Sequence, residues 1–399
     1  MNMIQTPKRW AITSAILFAS FRTTFASTSI YSACQAPTPD PLTGCPPNTF
    51  WVSQTDCGAD FTTIQGAISS LPDNNTNYTI LVMPGIYVEQ LNVTRSAPLT
   101  ILGQTSTPNA QESNTVTVYW AAANANGKFS DNAFTSVLTV APTLEASLTG
   151  SGPTGYPVPA DTPFGCIDFR VYNIDFRNVA TEFSAGPSLA VSVSRANAGF
   201  YFSGFYSYQD TVYVGKLGNA YFYRNTIAGQ TDFLYGFGTA WIQHSQIQMR
   251  SCGGGVVAWK GTNTTFPNKY GVYISDSFLN AANSSIAPSM IGKCYLGRPW
   301  NAQHRSVYLN TYMDASIRPQ GYEKWSSNPL TDNYNNYTVM AEYNSSGPGF
   351  NLSARIAGNL TIEFTAKQAR VYRTPLDVFM TPGGAQPDIS WIDPAAYTW

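Results

Sequence analysis

The chain has 399 residues, which is long enough for two domains or for one large β architecture. Hydrophobic residues make up 43% of the chain and charged residues only 11%, so a continuous core is possible while long charged helices are not favoured. A formal net charge of −1 excludes a broad electrostatic field for nucleic acid or an anionic membrane, so any ligand must be recognised at a local site.

The first residues have the pattern of a targeting segment. Lys8 and Arg9 precede an apolar stretch that ends near Phe21, and small residues around Ala26 provide a cleavage site. The alternative, a membrane anchor, is disfavoured because the stretch is well short of the roughly 20 residues that span a bilayer. We therefore predict a signal peptide over residues 1–27 and a secreted, extracellular protein.

The cysteines and the glycosylation sequons agree with export. The cysteines form an even set without the CxxC spacing of a metal site, and the sequence does not choose among their possible disulfide pairings. They are Cys34, Cys45, Cys57, Cys166, Cys252 and Cys294. Asn-x-Ser/Thr sequons predict a glycoprotein. They are at Asn74, Asn77, Asn92, Asn263, Asn283, Asn336, Asn344, Asn351 and Asn359.

The elements that follow the leader change in character along the chain. Residues 28–55, rich in Pro and Thr, predict an irregular N-terminal segment. Apolar residues between Phe61 and Leu71 recur at helical spacing and predict a short capping helix. From Thr79 onward the pattern becomes short apolar alternations, which are typical of strands. We predict a single catalytic domain over residues 56–399.

A weak internal repeat organises these strands. Phe200 and Phe222 occupy matching places one repeat apart, and Ile242 follows after a similar interval. A period of about 20 residues with two or three strands per unit indicates a solenoid, and the leucine ladder of leucine-rich repeats is absent. Barrels and sandwiches offer no reason for this period. The prediction is an all-β fold, a right-handed parallel β-helix with a short N-terminal helical cap and a loop-rich C-terminal tail.

Two aspartates share the period of the repeat. Asp210 and Asp232 have the same separation as Phe200 and Phe222, so they would stack on adjacent coils at about 4.8 Å. Two carboxylates that close do not both ionise easily, and one keeps its proton while the other remains an anion. That division suits a hydrolase, with one acid and one nucleophile or base. The alternative is a pair of solvated turn residues, which the aromatic neighbours make less favourable.

A second candidate segment reads Leu296-Gly297-Arg298-Pro299-Trp300. An arginine beside an anionic aspartate holds the carboxylate ionised, and a tryptophan offers a flat platform for a pyranose ring. On its own the segment is equally compatible with an ordinary turn that carries a core tryptophan.

Four segments in order resemble the signatures of the pectinesterases. They are GIYVE (85–89), YQDTVY (208–213), GQTDFLYG (229–236) and LGRPW (296–300), and the resemblance spans about residues 55–345. It implies removal of methyl esters from pectin, the methylated homogalacturonan polymer, with release of methanol and without a metal or organic cofactor. The implied partner is therefore pectin, with no nucleic acid, no membrane after removal of the leader, and a monomeric enzyme.

The resemblance also implies roles for individual residues. Asp210 would be the general acid and later the base, and Asp232 the nucleophile that attacks the ester carbonyl. Arg298 would hold the nucleophile, and Gln209 would help to form the oxyanion hole. Substrate-binding aromatic residues would be Tyr213, Tyr235, Trp300 and Trp325.

One departure from the family pattern concerns the oxyanion hole. The family usually has a second glutamine one coil before Gln209, and counting back one average period of about 20 residues selects Leu189 for that place. Loss of one oxyanion donor typically lowers the rate by about 10² to 10³. We expect a substitute donor, and the candidates are Ser188, Ser192 and Gln230.

Other functions are weaker alternatives. A Ser-His-Asp esterase lacks its G-x-S-x-G elbow here, and a calcium-dependent lyase lacks a dense acidic cluster. His244 is expected to be structural, His304 a surface loop residue, and the glycine run after Cys252 a tight turn. A β-helix glycoside hydrolase, which also uses two carboxylates, and a catalytically weakened polysaccharide-binding protein remain alternatives.

Overall fold

The fold is a stack of parallel strands wound into three sheets. The computed structural model describes residues 30–149, 161–261, 270–328 and 332–396. The predicted signal peptide and the Asn263 sequon lie outside the described residues. The strands are numbered in chain order, and neighbours within each sheet pair in parallel.

The three sheets divide the strands between them in a regular cycle. The first sheet contains β1 (Thr49–Val52), β2 (Tyr78–Val82), β5 (Leu99–Gly103), β8 (Phe169–Tyr172), β11 (Asn197–Tyr201), β14 (Asn219–Tyr223), β17 (Thr239–Gln243), β20 (Gly271–Ser275), β23 (Arg305–Leu309), β25 (Val339–Tyr343) and β26 (Ile362–Glu363). The second sheet contains β3 (Gly85–Val88), β6 (Val116–Trp120), β9 (Ile174–Asn178), β12 (Gly204–Tyr206), β15 (Thr226–Thr231), β18 (Gln246–Gly253), β21 (Phe278–Ala281) and β24 (Tyr312–Met313). The third sheet contains β4 (Leu91–Val93), β7 (Leu138–Val140), β10 (Val191–Val193), β13 (Val212–Val214), β16 (Leu234–Gly236), β19 (Gly255–Trp259) and β22 (Tyr295–Gly297).

This cycle confirms the predicted right-handed parallel β-helix. Phe200 pairs with Phe222, and Phe222 pairs with Ile242, so the repeat read from the sequence is the coil of the helix. The two phenylalanine rings stack at 4.9 Å between centroids, and all three side chains are fully buried. Each coil thus buries apolar side chains inside the helix while alternate residues point outward.

The helices are short and lie at the ends of the stack or in its loops. They are α1 (Ser32–Gln35), α2 (Ile64–Ser70), α3 (Leu144–Ser147), α4 (Ala287–Met290), α5 (Leu352–Gly358), α6 (Ala366–Ala369) and α7 (Pro375–Val378). The predicted capping helix is α2, which begins after Thr63 because the Thr63 hydroxyl accepts a hydrogen bond from the Gly66 N–H at 3.1 Å. It packs against β1, β2 and β4, the N-terminal strands of the stack.

The C-terminal tail covers the outer face of the first sheet. The tail contains α5, α6 and α7 as well as loops, and the sequence pattern did not predict these helices because each is too short to show a clear helical period. The Tyr172 hydroxyl donates a hydrogen bond to Asp393 at 2.7 Å, and Trp391 is buried against the same surface. The active face must therefore lie on another side of the helix.

Two disulfides join parts of the described chain. Cys34 pairs with Cys45, and Cys252 pairs with Cys294. Cys57 is an exposed thiol and Cys166 is a buried one.

Candidate active site

The turns between the second and third sheets carry the two aspartates. Asp210 lies between β12 and β13, and Asp232 lies between β15 and β16. Val212 pairs with Leu234 in the third sheet, and the Asp210 N–H donates to the Thr231 carbonyl at 3.1 Å. The two aspartates therefore occupy equivalent positions on adjacent coils, as their spacing in the sequence predicts.

Both aspartates adopt a left-handed backbone conformation and are nearly buried. Their φ angles are 60° for Asp210 and 48° for Asp232, and their exposed fractions are 7% and 8%. A residue in the left-handed conformation turns the chain sharply between the second and third sheets, and aspartate tolerates this conformation better than most residues. Both side chains are thereby held at a fixed place with little contact with bulk water.

The carboxylate of Asp232 is held by three donors. Arg298 Nε donates to Oδ1 at 3.0 Å and Arg298 Nη2 donates to Oδ2 at 2.7 Å, which is a bidentate fork. The Gly255 N–H adds a hydrogen bond to Oδ1 at 3.2 Å. Arg298 directly follows β22, and β19 lies between β22 and β16 in the third sheet. The guanidinium therefore reaches Asp232, which precedes β16, across one intervening coil. A fork of this kind fixes both the charge and the orientation of the carboxylate.

Asp210 has the opposite environment. Burial raises the pKa of the Asp210 carboxyl well above its ordinary value of 3.8, the neighbouring charge of Asp232 raises it further, and the Arg298 guanidinium only partly offsets the two. The two stacked aspartates thus differ: one is paired with a cation, and the other favours its proton. A carboxylate held by a cation beside a carboxyl group of raised pKa is the kind of pair that acid-assisted hydrolysis uses.

Glu323 is a further titratable group close to this pair. Burial raises the pKa of Glu323 to about 7, the charge of Arg298 lowers it, and the charge of Asp232 raises it. Its backbone N–H donates to the Gly297 carbonyl at 3.0 Å, next to Arg298. The sequence analysis did not select this residue because no motif includes it.

Two glutamine side chains lie beside the aspartates, and both contact Ser184. The Ser184 hydroxyl donates to Gln209 Oε1 at 2.9 Å, and the Ser184 N–H donates to Gln230 Oε1 at 3.2 Å. Neither glutamine Nε2 group donates a hydrogen bond within the described ranges of the chain. Both amides therefore retain donors that can serve a ligand oxygen.

The observed register corrects the alignment of Leu189. Val191 pairs with Val212, and the Ser188 N–H donates to the Gln209 carbonyl at 3.0 Å. Ser188, not Leu189, is therefore opposite Gln209, while Leu189 is fully buried. The alignment had been taken from the average period, whereas this coil is one residue longer than that average.

Of the three substitute donors, only Gln230 has a donor group that is both unpaired among the described residues and partly exposed; the Ser192 hydroxyl is unpaired there but buried. The Ser188 hydroxyl lies 2.8 Å from the hydroxyl of Ser207, and Ser192 is fully buried. Gln230, by contrast, is half-buried. A Cβ built on Gly253 would lie 3.3 Å from Gln230 Nε2, and the next residue, Gly254, approaches Asp232. The donor group of Gln230 therefore lies beside the glycine turn that contacts Asp232.

Gly254, which the sequence analysis took for part of an ordinary turn, lies against the ion pair of Asp232 and Arg298. It has a φ of +58°, and a Cβ at this position would lie 2.6 Å from Asp232 Oδ1 and 2.8 Å from Arg298 Nη2. Only glycine leaves room for the ion pair while adopting this backbone conformation. The disulfide between Cys252 and Cys294 links this turn to the segment that leads into Arg298. The glycine run next to a cysteine was the signal in the sequence.

The aromatic residues divide into an accessible and a buried set. Trp300 is half-buried, and the Lys260 ammonium lies 3.4 Å from the centroid of its ring. Trp325 lies against Arg298, with the guanidinium carbon 4.5 Å from the ring centroid. Trp325 therefore lies against the arginine that binds Asp232, and Trp300 follows that arginine two residues later.

Tyr213 and Tyr235 lie beneath this surface, which corrects the expectation that they contact the substrate directly. Their rings are 4.8 Å apart, and their exposed fractions are 1% and 2%. They point outward from β13 and β16, but Leu189 packs against them in one buried hydrophobic cluster. The ring centroid of Trp300 lies 5.7 Å from that of Tyr235. The strand alternation predicted their direction, whereas the covering residues come from other parts of the chain. They support Trp300 from below.

The two histidines are not part of the site. His304 is completely buried, its Nε2 lies 2.8 Å from the Ser306 hydroxyl, and burial lowers its pKa to about 3, so the expectation of a surface loop residue is wrong. His244 occupies a left-handed turn at the end of β17, with a φ of 51°. The residue is exposed and lies in a turn, not inside the strand as the sequence pattern predicted.

Metal ligands and membrane helices were also sought in the described ranges. Within them no group of three or more His, Cys, Asp or Glu residues is arranged to hold a metal ion. No helix in the same ranges has both the length and the apolar character required to cross a membrane.

The fold and the site together define a class, the hydrolases built on a parallel β-helix. The family model described as Pectinesterase matches residues 163–376, which is more than half of the chain. The chain belongs to the pectinesterase family and is a carboxylic ester hydrolase.

Relatives and solved structures agree with this assignment. A probable pectinesterase A of Neosartorya fischeri is 28% identical over 297 residues, which cover 72% of this chain and 81% of the relative. A pectinesterase of Aspergillus aculeatus is also 28% identical over 297 residues, 73% of this chain and 80% of the relative. The pectin methylesterase from carrot superimposes with a TM-score of 0.65 at 22% identity, over 82% of this chain and 92% of that structure.

A bacterial structure shares the same fold. Pectin methylesterase PemA from Erwinia chrysanthemi has a TM-score of 0.64 at 22% identity, over 84% of this chain and 98% of that structure. At this identity the likeness concerns the fold.

Proposed function

We propose that the protein is a secreted pectin methylesterase that removes methyl esters from homogalacturonan and releases methanol. The observation that carries the proposal is the contrast between the stacked aspartates. Arg298 grips Asp232 with a bidentate fork, while burial and the charge of Asp232 raise the pKa of Asp210. One carboxylate is thus oriented for attack, and its neighbour is ready to donate a proton.

The first half-reaction forms an acyl-enzyme. A carboxylate oxygen of Asp232 attacks the ester carbonyl carbon, and the carbonyl oxygen becomes an oxyanion that accepts hydrogen bonds from the amides of Gln209 and Gln230. When the tetrahedral intermediate collapses, the bond to the methoxy oxygen breaks. Asp210 gives its proton to that oxygen, so methanol leaves and Asp210 becomes an anion. Two preorganised donors stabilise the oxyanion because they need no rearrangement during the reaction.

The second half-reaction releases the product. The ionised Asp210 takes a proton from water, and the hydroxide so formed attacks the anhydride between Asp232 and the sugar. The anhydride bond breaks, which leaves a free galacturonate carboxyl group and restores the Asp232 carboxylate. Arg298 steadies that carboxylate as a leaving group, because its fork binds the anionic form.

Substrate binding is assigned to the surface around the two accessible tryptophans. Trp300 and Trp325 offer flat faces on which pyranose rings can stack. Related pectin methylesterases have been solved in complex with hexasaccharides, which supports a polymeric substrate for this chain as well. We propose that the enzyme acts as a monomer, with residues 56–399 forming one catalytic domain, and that it uses no cofactor.

Export is supported by the disulfides and by the glycosylation sequons. The disulfides Cys34–Cys45 and Cys252–Cys294 are typical of an oxidising compartment, and the sequons outside the core are available for glycosylation there. Together with the leader-like N-terminus they favour an extracellular or cell-wall enzyme.

The reaction is tested with highly methylated pectin. The purified protein is expected to release methanol without shortening the polymer and without forming unsaturated ends, and Asp232→Asn is expected to abolish the release. Shortening of the polymer would indicate a glycoside hydrolase or a lyase. Binding of pectin with no methanol over a broad pH range would indicate a polysaccharide-binding protein. Either result would reject the proposed function.

A further inference from the structure

The loop between β9 and β10 is anchored near both of its ends. The Val179 N–H donates to the Trp120 carbonyl at 2.9 Å, and the Asn124 N–H donates to the Pro187 carbonyl at 2.8 Å. The buried Asn178 side chain donates to three backbone carbonyl groups around the base of the loop. The segment between these anchors is therefore fixed relative to the stack of coils.

Ser184 lies at a tight turn in this loop. The Ala185 N–H donates to the Phe183 carbonyl at 2.9 Å, which turns the chain around Ser184. Its hydroxyl and its backbone N–H then reach two glutamines that belong to two successive coils, Gln209 at 2.9 Å and Gln230 at 3.2 Å. A single loop residue thus contacts both members of the candidate oxyanion hole.

The contacts determine which way the amides face. A backbone N–H can only donate, so its partner on Gln230 must be the amide oxygen and not the nitrogen. Because an amide group is planar, holding its oxygen at Ser184 directs its NH₂ group away from the loop. On Gln230 that NH₂ group lies near Gly253, next to the turn that contacts Asp232. The Gln230 donor is therefore held beside this glycine turn.

We propose that Ser184 is a positioning residue that orients both oxyanion donors, Gln209 through its hydroxyl and Gln230 through its backbone N–H. This inference rests on the proposed function, in which those glutamines stabilise the oxyanion. Without Ser184 the free amides rotate about their side-chain torsions and spend part of the time with the oxygen toward the oxyanion, which repels it. Preorganised donors lose much of their effect when their support is removed.

The test compares three variants in steady-state methanol release. Ser184→Ala removes the hydroxyl contact to Gln209 and leaves the backbone contact to Gln230, whereas Ser184→Thr retains a hydroxyl. Thr181→Ala is the matched control, because its hydroxyl belongs to the same loop but donates to the Phe183 carbonyl and to no glutamine. We expect Ser184→Ala to lower kcat by about tenfold with KM changed less than about twofold, a part of the effect of losing one donor. Ser184→Thr should restore most of kcat, and Thr181→Ala should match the unaltered protein.

A double-mutant cycle separates positioning from other roles. If Ser184 acts through Gln209, then Ser184→Ala causes no further loss of kcat in a Gln209→Ala background. Equal losses in both backgrounds, an effect on KM alone, or an unchanged kcat would overturn the inference. The proposed function has a separate readout: full activity of Gln209→Ala, or no methanol from the unaltered protein, would reject the oxyanion assignment whatever Ser184 does.

Discussion

The glycine beside the catalytic ion pair gives the sharpest prediction about geometry. In Gly254→Ala the new Cβ would lie 2.6 Å from Asp232 Oδ1 and 2.8 Å from Arg298 Nη2, at a backbone φ of +58°. Ordinary van der Waals contact needs 3.4 Å or more, so the carboxylate and the guanidinium must each move by about half an ångström to one ångström. A misplacement of about 1 Å lowers a rate by about 10²-fold. The left-handed conformation adds a stability loss of about 1–2 kcal/mol.

The assay separates the steric effect from the backbone effect by means of a matched glycine. Gly127 also has a left-handed φ, +70°, but a Cβ there would meet nothing within 4 Å. Gly127→Ala should lose only the stability that the left-handed backbone costs, whereas Gly254→Ala should lose more stability and also about 10²-fold in kcat for methanol release. A folded Gly254→Ala protein with kcat within about threefold of the unaltered enzyme would refute the claim that this glycine makes room for the ion pair.

Three further predictions concern the pH dependence, the arginine fork and the disulfide. Because the folded-state pKa of Asp210 is raised, the proton on this carboxyl stabilises the fold at pH below the ordinary value of 3.8, and this stability is lost as the pH rises through the raised pKa. Asp210→Asn should therefore unfold at a higher temperature than the unaltered protein at pH above the raised pKa, and the methanol release of the unaltered protein should decline as the pH rises through that pKa. Arg298→Lys keeps the charge but not the fork on Asp232, and we expect kcat to fall by about 10- to 100-fold with the fold intact. Replacing Cys252 and Cys294 by serine opens a link across a sequence separation of 42 residues, and thermal or denaturant unfolding should reveal a loss of about 2–4 kcal/mol.

Each of these three has an outcome that would contradict it. The unfolding temperatures of Asp210→Asn and the unaltered protein could differ by the same amount at every pH. That result would mean that burial does not shift the pKa of Asp210. Full activity of Arg298→Lys would show that charge alone suffices. Equal stability of the Cys252/Cys294 double variant and the unaltered protein would show that the disulfide does not stabilise the turn that contains Gly254.

The features that repeat along the chain were the ones that the sequence predicted well. The coil length can be counted from matching residues, so both the β-helix and the stacking of Asp210 on Asp232 followed from spacing. The same reasoning misplaced Leu189, since the preceding coil departs from the average period and a shift of one residue changes the neighbour. Periodicity predicts position only where the turns keep their length.

The features that depend on contacts between distant segments could not be read from spacing. Tyr213 and Tyr235 point outward as their strands require, but Leu189 and Trp300 cover them. Ser184 reaches the glutamines from a loop that has no counterpart in the repeat. Such contacts arise from the folding of inserted loops over the stack, and their sequences carry no period.

The most direct test of the two carboxyl roles uses a substrate whose leaving group needs no acid. With the 2,4-dinitrophenyl ester of an oligogalacturonate, whose phenolate is about as good a leaving group as a carboxylate, Asp210→Asn should release a rapid burst of a single equivalent of 2,4-dinitrophenolate per active site and then stall, because Asp232 can still attack but no base activates water. Asp232→Asn should give no burst. A burst from Asp232→Asn, or none from Asp210→Asn, would contradict the assignment of nucleophile and acid.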